Sequence, residues 1–175
     1  MNIKNNSRSQ ETQAKIETAF LKKLSEKNIS KITVKELCEE VGITRSSFYG
    51  HYEDVYDLFK KIEKNTNDEV IHIFKTELYK HSSDFRVALI QTLRFIESNK
   101  LFYLYLLENS NEKSLFNEIL IYDIFGPKEI DQDISKIIFF VGGLNALLLH
   151  WLQNDCKESP EEILDSLPKN YVNNI

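Results

Sequence analysis

Between Thr33 and Tyr52 the chain gathers Thr33, Lys35, Thr44, Arg45, Ser46, Ser47, Tyr49 and His51, all side chains able to donate hydrogen bonds. Arg45, Ser46, Tyr49 and His51 fall on one polar face of a short helix, and such a face suits the major groove of double-stranded DNA. Catalytic chemistry has no comparable grouping. His51, His72, His81 and His150 show no metal-ligand spacing with one another or with Cys38 and Cys156. There is no glycine-rich phosphate loop and no nucleophile elbow. The expectation is therefore no enzyme, no metal and no cofactor; an active site would have to be assembled wholly from distant residues.

Two short helices must hold the polar face in place. Val34, Leu37, Cys38 and Val41 recur at i, i+3, i+4 and i+7, which puts four apolar groups on one helical face. Thr33 followed three residues later by Glu36 is a capping box, so the first helix starts at Val34. Gly42 can adopt the left-handed conformation that ends a helix, and Thr44 can cap a second one. Phe48 and Tyr52 can point inward from that second helix. The pattern is a helix-turn-helix.

Gly42-Ile43-Thr44 and the ending Phe48-Tyr49-Gly50-His51-Tyr52 resemble the signature of the TetR family of bacterial transcription regulators. The resemblance is strong over residues 9–65 and looser beyond. It implies an all-α fold, with an N-terminal three-helix DNA-binding domain over residues 1–53. A long helix would join this to a helical ligand-binding and dimerisation domain over 54–175. It also implies roles: Thr33 and His51 on phosphates, Lys35, Arg45, Ser46 and Tyr49 at or beside base edges, with Thr44 and Ser47 in the same interface. The implied function is a repressor released by a small molecule. The alternative is an adaptor or activator of the same fold that answers to a protein partner. One departure keeps that alternative open: the family usually carries a lysine where this chain has Val55, and Glu53 and Asp54 add acidity beside it.

Composition agrees with a helical, non-membrane reading. The 175 residues include only 5 Gly and 3 Pro, and strand signals are scarce. The opening Met-Asn-Ile-Lys-Asn-Asn-Ser-Arg lacks an apolar segment, so export is not expected and a cytoplasmic location is. Cys38 and Cys156 lie far apart in sequence and read as reduced thiols. The net charge of -5 hides an asymmetry: residues 1–65 carry 12 Lys/Arg against 10 Asp/Glu, and residues 66–175 carry 10 against 17. A basic arm and first helix suit phosphate; an ordinary solvated helix face is the plainer explanation.

Along the chain, residues 1–8 read as disordered, and Ile16, Ala19, Phe20 and Leu24 form the stripe of a helix from about Gln10 to Lys27. Asp54 caps a long helix to about Lys80, and Asp84 another to Ser98. The next helix, Leu101 to Leu107, is apolar nearly all round and reads as buried. Leu115 to Phe125 reads as a helix ended by Gly126-Pro127, followed by the most hydrophobic helix, Asp131 to Asp155. Its apolar run from Ile137 to Leu149 is shorter than the roughly 18 residues a membrane span needs. Ser159-Pro160-Glu161-Glu162 caps a last helix to about Leu167.

In the family the last two long helices pair with their copies across a twofold axis. The resemblance thus assigns dimerisation to Gly142, Gly143, Leu147 and Trp151, where adjacent glycines let another backbone approach. A central helix of a monomer is the alternative. Phe102, Tyr103, Tyr105, Tyr122, His150 and Trp151 are candidate walls for a small apolar or amphipathic effector, against the plainer reading of ordinary core.

Overall fold

A computed structural model describes the backbone of residues 3–80, 84–109 and 127–167, and side chains over most of these. Among the described residues the chain is helical throughout and contains no strand. It divides into two units, Met1–Thr66 and Asn67–Ile175, with the division inside a long helix rather than before it.

The first unit opens with α1, Ile3–Leu24, whose buried Ile16, Ala19, Phe20 and Leu24 are the stripe read from the sequence. The helix begins earlier than residue 10. Once a helix is nucleated each added residue gains a hydrogen bond, and here the Thr12 hydroxyl donates to the Arg8 carbonyl at 2.9 Å while Lys15 pairs with Glu11. It also ends earlier than Lys27, because the Ser25 hydroxyl donates to the carbonyl of Lys22 and turns the chain. A short 3-10 turn, Ile29–Lys31, capped by Asn28, leads to α2, Val34–Val41, and α3, Arg45–Tyr49. The helix α4, Val55–Lys80, begins in this unit, with Val55, Leu58 and Ile62 buried and the Phe59 ring edge-on to Phe20.

The second unit holds α5, Phe85–Ser98, α6, Lys100–Asn109, α7, Pro127–Gln153, and α8, Pro160–Asp165. Pro127 is the first residue of α7 rather than part of a preceding stop, since its missing N–H costs nothing in a first turn. The α6 helix packs against both α5 and α7. It is only partly buried: Phe102, Tyr103 and Leu107 face inward while Leu101 is exposed.

The last helix among the described residues departs from the long partner that the resemblance implies. It has six residues, and Ser166 closes it with a hydrogen bond back to Glu162. Pro160, Ile163 and Leu164 are buried, and α8 packs against α5. Arg86 pairs with Asp165 at 2.8 Å, and Arg94 pairs with Glu161. The chain reaches α8 through Asp155 and Cys156, both left-handed at φ 66 and 51. The Trp151 indole donates to the Glu158 carbonyl at 2.8 Å and fixes this corner. The sequence-read helix over 115–125, with Tyr122, lies outside the described residues.

Candidate nucleic-acid interface

The polar face is built by two caps and one left-handed residue. The Thr33 hydroxyl accepts from the Glu36 N–H at 3.3 Å while the Glu36 carboxylate accepts from the Thr33 N–H at 3.1 Å, completing the capping box of α2. Gly42 ends α2 at φ 73, ψ 37, and both its N–H and that of Ile43 reach the Cys38 carbonyl. A side chain at this φ would be strained. Thr44 then caps α3 by accepting from the Ser47 N–H at 3.1 Å. Leu37, Cys38, Phe48 and Tyr52 are buried beneath, so the two helices are held by their apolar sides.

Geometry leaves the expected residues outward. Thr33, Lys35, Thr44, Arg45, Ser46 and Tyr49 are exposed, with Tyr49 at 56 %, and Ser47 and His51 are half-buried. Arg45 forms no ion pair among the described residues, whereas Lys35 makes only a long contact to Glu39 at 3.8 Å. Burial pushes the Cys38 thiol up, with the nearby Arg45 charge acting the other way, so this cysteine stays a neutral thiol under α3.

Part of the basic character at the end of α1 and just after it is engaged by carboxylates of α2. Lys22 and Lys23 both reach Glu40, at 3.2 and 2.6 Å, and Lys27 reaches Glu36 at 2.8 Å. Lys22 and Lys23 clamp α1, and Lys27 the turn after it, to α2. Hydrogen bonds from the lysines hold the Glu36 and Glu40 carboxyls below the usual carboxylate range, and Glu40 holds the Lys23 ammonium above its own.

A second brace lies at the end of the motif, and residue spacing did not reveal it. The Tyr52 phenol donates to Glu17 Oε1 at 2.8 Å, and Gln13 donates to the same oxygen at 3.0 Å. Lys61 stands over the Tyr52 ring at 5.2 Å, donates to the His51 carbonyl at 3.1 Å and pairs with Asp57 at 2.9 Å. The i,i+4 spacing of Asp57 and Lys61 was a signal for that pair; the reach back to His51 depends on the chain turn. Asp57 also accepts from the Glu53 N–H, and Asp54 accepts from the Asp57 N–H, so carboxylates surround the start of α4. Val55 is buried at 6 % exposure and faces away from solvent.

In the second unit the candidates separate. Phe102 and Tyr103 are buried, Tyr105 is half-buried, and Trp151 is fully buried with its indole N–H already engaged. Trp151 is thus withdrawn from any surface, which corrects its assignment to the dimerisation face. His150 is exposed beside Asn154, so it lines no interior. Gly142 and Gly143 lie with Ile138, Phe139 and Ala146 on an exposed stripe of α7, and Leu147 is half-buried at its edge. A Cβ built on either glycine meets nothing within 4 Å, so no close approach within the chain requires them. Among the described residues no group of His, Cys, Asp and Glu could hold a metal, and no helix is long and apolar enough to cross a membrane.

Comparison with known proteins adds a family to this geometry. Residues 83–170 match the TetR-type family described as "Transcriptional regulator C-terminal region". An uncharacterized HTH-type transcriptional regulator, YxbF of Bacillus subtilis (strain 168), is 25% identical over 162 residues. That match takes in 86% of this chain but only 42% of the relative's length. Among solved structures, the dihydroxyacetone kinase operon activator DhaS superposes with a TM-score of 0.59 at 17% identity, over 88% of this chain and 92% of that one, a likeness of fold. The family match, the HTH-type relative and the capped polar helix pair agree: this chain belongs to the TetR family of transcriptional regulators.

Proposed function

We propose that the chain is a homodimeric, cytoplasmic bacterial repressor that leaves its operator when a small apolar or amphipathic molecule enters the C-terminal unit. The observation that carries the DNA-reading half is the exposed row Arg45, Ser46 and Tyr49 on a helix whose position Gly42 and Thr44 fix. Arg45 can pair its guanidinium fork with O6 and N7 of a guanine. Ser46, Tyr49 and Lys35 flank it, Thr44 and Ser47 complete the surface, and Thr33 and His51 hold phosphates. Two copies related by a twofold axis would place two such rows about 34 to 36 Å apart, on successive major-groove faces. The exposed apolar stripe of Ile138, Phe139, Gly142 and Gly143 supports that axis. Release requires the effector to bind the non-operator state more tightly, because equal affinity for both states shifts nothing.

A second reading has its own support. Val55 is buried, carboxylates surround the start of α4, and Lys22 and Lys23 of α1 and Lys27 just after it are engaged by Glu40 and Glu36. Fewer free cations than the motif suggests favour an activator or adaptor that relies on a protein partner. Footprinting the purified protein on the DNA flanking its own gene tests the first reading. A protected twofold-symmetric site, lost with Arg45→Ala, is the expected result; no protection at low salt would favour the adaptor.

A further inference from the structure

The described core of the second unit contains uncharged polar side chains and no buried charge. Nearly all are satisfied locally. The Thr92 hydroxyl donates to the Ala88 carbonyl, the Asn145 amide donates to the Val141 carbonyl, and the Trp151 indole donates to Glu158. The exception is Tyr103. Its ring is fully buried and its hydroxyl has no hydrogen-bond partner among the described residues. A buried hydroxyl without a partner is destabilising, and native structures rarely keep one. The neighbouring Phe102 is equally buried, so α6 accommodates a phenylalanine in its interior without an oxygen to satisfy.

Building on the small-molecule reading above, we infer that the Tyr103 hydroxyl is the donor to an uncharged oxygen acceptor, a ketone, ether or alcohol, on an apolar effector held among α5, α6 and α7. Thr92 and Asn145, on the two helices that pack against α6, are buried polar side chains without charge. Burial pushes the Tyr103 phenol upward, so it remains a donor throughout the physiological range. The described core offers no cation to pair with a buried carboxylate and no anion to pair with an ammonium, and an unpaired buried charge is strongly disfavoured. Against the described core, the effector class that fits is neutral and mostly hydrocarbon, with an acceptor for Tyr103.

The test uses the full chain with two matched probe sets: octanol, an octanone, octanoate, octylamine and octane, and acetophenone, benzoate, benzylamine and ethylbenzene. Thermal shift and calorimetry should show the ketones and alcohol binding, the hydrocarbons more weakly and the charged members least. Tyr103→Phe should raise the melting temperature of the free protein by about 2 to 4 °C. It should also weaken ketone binding roughly three- to tenfold while leaving hydrocarbon binding unchanged. Tyr79→Phe, at a site 91 % exposed, serves as the control and should change neither. Should the variant fold poorly, the unmodified protein's preference for ketone over hydrocarbon still decides the matter. Tighter binding of octanoate or octylamine, or ketone binding indifferent to Tyr103→Phe, would overturn this inference and leave a small-molecule effector standing. Binding of no member of either set would overturn both.

Discussion

The Tyr52 hydroxyl donates to Glu17 Oε1 at 2.8 Å, tying the last residue of the helix-turn-helix signature to the first helix of the chain. Tyr52 is 2 % exposed, and its ring also meets Phe48 at 5.6 Å and lies beneath the Lys61 ammonium. Tyr52→Phe keeps the ring contacts and deletes only the hydrogen bond. Because the acceptor is a carboxylate, the expected loss is about 1.5 to 3 kcal/mol. Urea unfolding should show a lower midpoint at unchanged slope. An unchanged midpoint would mean that Gln13 and water satisfy Glu17 without it.

Val55 occupies the place where the family usually has a phosphate-binding lysine, and it is buried. Val55→Lys must either bury an ammonium or push the side chain out past Asp54 and Asp57. The expected cost is about 1 to 3 kcal/mol of stability, with DNA affinity falling along with it. A steeper salt dependence at an unchanged melting temperature would instead mean that the lysine reaches phosphate in the family's manner.

The double clamp of Glu40 on Lys22 and Lys23 gives a prediction that combines DNA affinity with pH. Glu40→Gln frees both ammonium groups, so affinity for DNA of any sequence should rise. The slope of log affinity against log salt should steepen by roughly 0.9 for each lysine that then reaches a phosphate. The pH dependence follows from the directions of the shifts. Glu36 and Glu40 sit below the ordinary 4.5 of a glutamate, so they stabilise the fold above that value and lose the contribution as the pH falls through their own lower values. Lys23, raised above 10.5, contributes below that value and loses its contribution as the pH rises through its higher one. Amide protection factors in α1 and α2, taken relative to the intrinsic exchange rate at each pH, should therefore fall on acidification below about pH 4.5. Glu36→Gln together with Glu40→Gln should flatten that limb.

What the sequence disclosed and what it concealed divide by range. The capping boxes at Thr33 and Ser159, the left-handed Gly42 and the cap at Thr44 involve residues within a few positions, and all form as their spacing implies. The buried stripes of α1 and α2 were equally legible, because helical period alone sorts their faces. Partner choice across helices was not. Nothing local distinguishes a lysine that holds phosphate from one that clamps Glu40; helix crossing decides it. His150 and Trp151 are adjacent in sequence, yet one is exposed and the other fully buried, because a step of one residue turns a helix by about 100°. The extent of α8 was legible too: its capping box fixes where the helix begins, and the expected end near Leu167 lies next to Ser166, which closes it.

The exposed stripe of α7 gives the test of the dimer. Ile138 and Phe139 are 60 % and 65 % exposed, and Gly142, Gly143 and Ala146 continue the same face. Since a Cβ on Gly143 meets nothing within 4 Å, Gly143→Leu has room within its own chain, and replacing a mid-helix glycine should favour the helix by about 0.5 to 1 kcal/mol. The folded single chain should therefore be unharmed or slightly more stable. Across a twofold axis the same leucine appears twice at the contact, where overpacking costs about 1 to 3 kcal/mol per site. The dimer should weaken roughly 30-fold or more, since each 1.4 kcal/mol is tenfold. Phe139→Glu should split it as well, by burying an unpaired carboxylate against its copy. Sedimentation velocity over a concentration series, with circular dichroism to confirm folding, separates the outcomes. A tight dimer that survives both variants would place the twofold contact elsewhere, and a stable monomer of the unmodified protein would remove it.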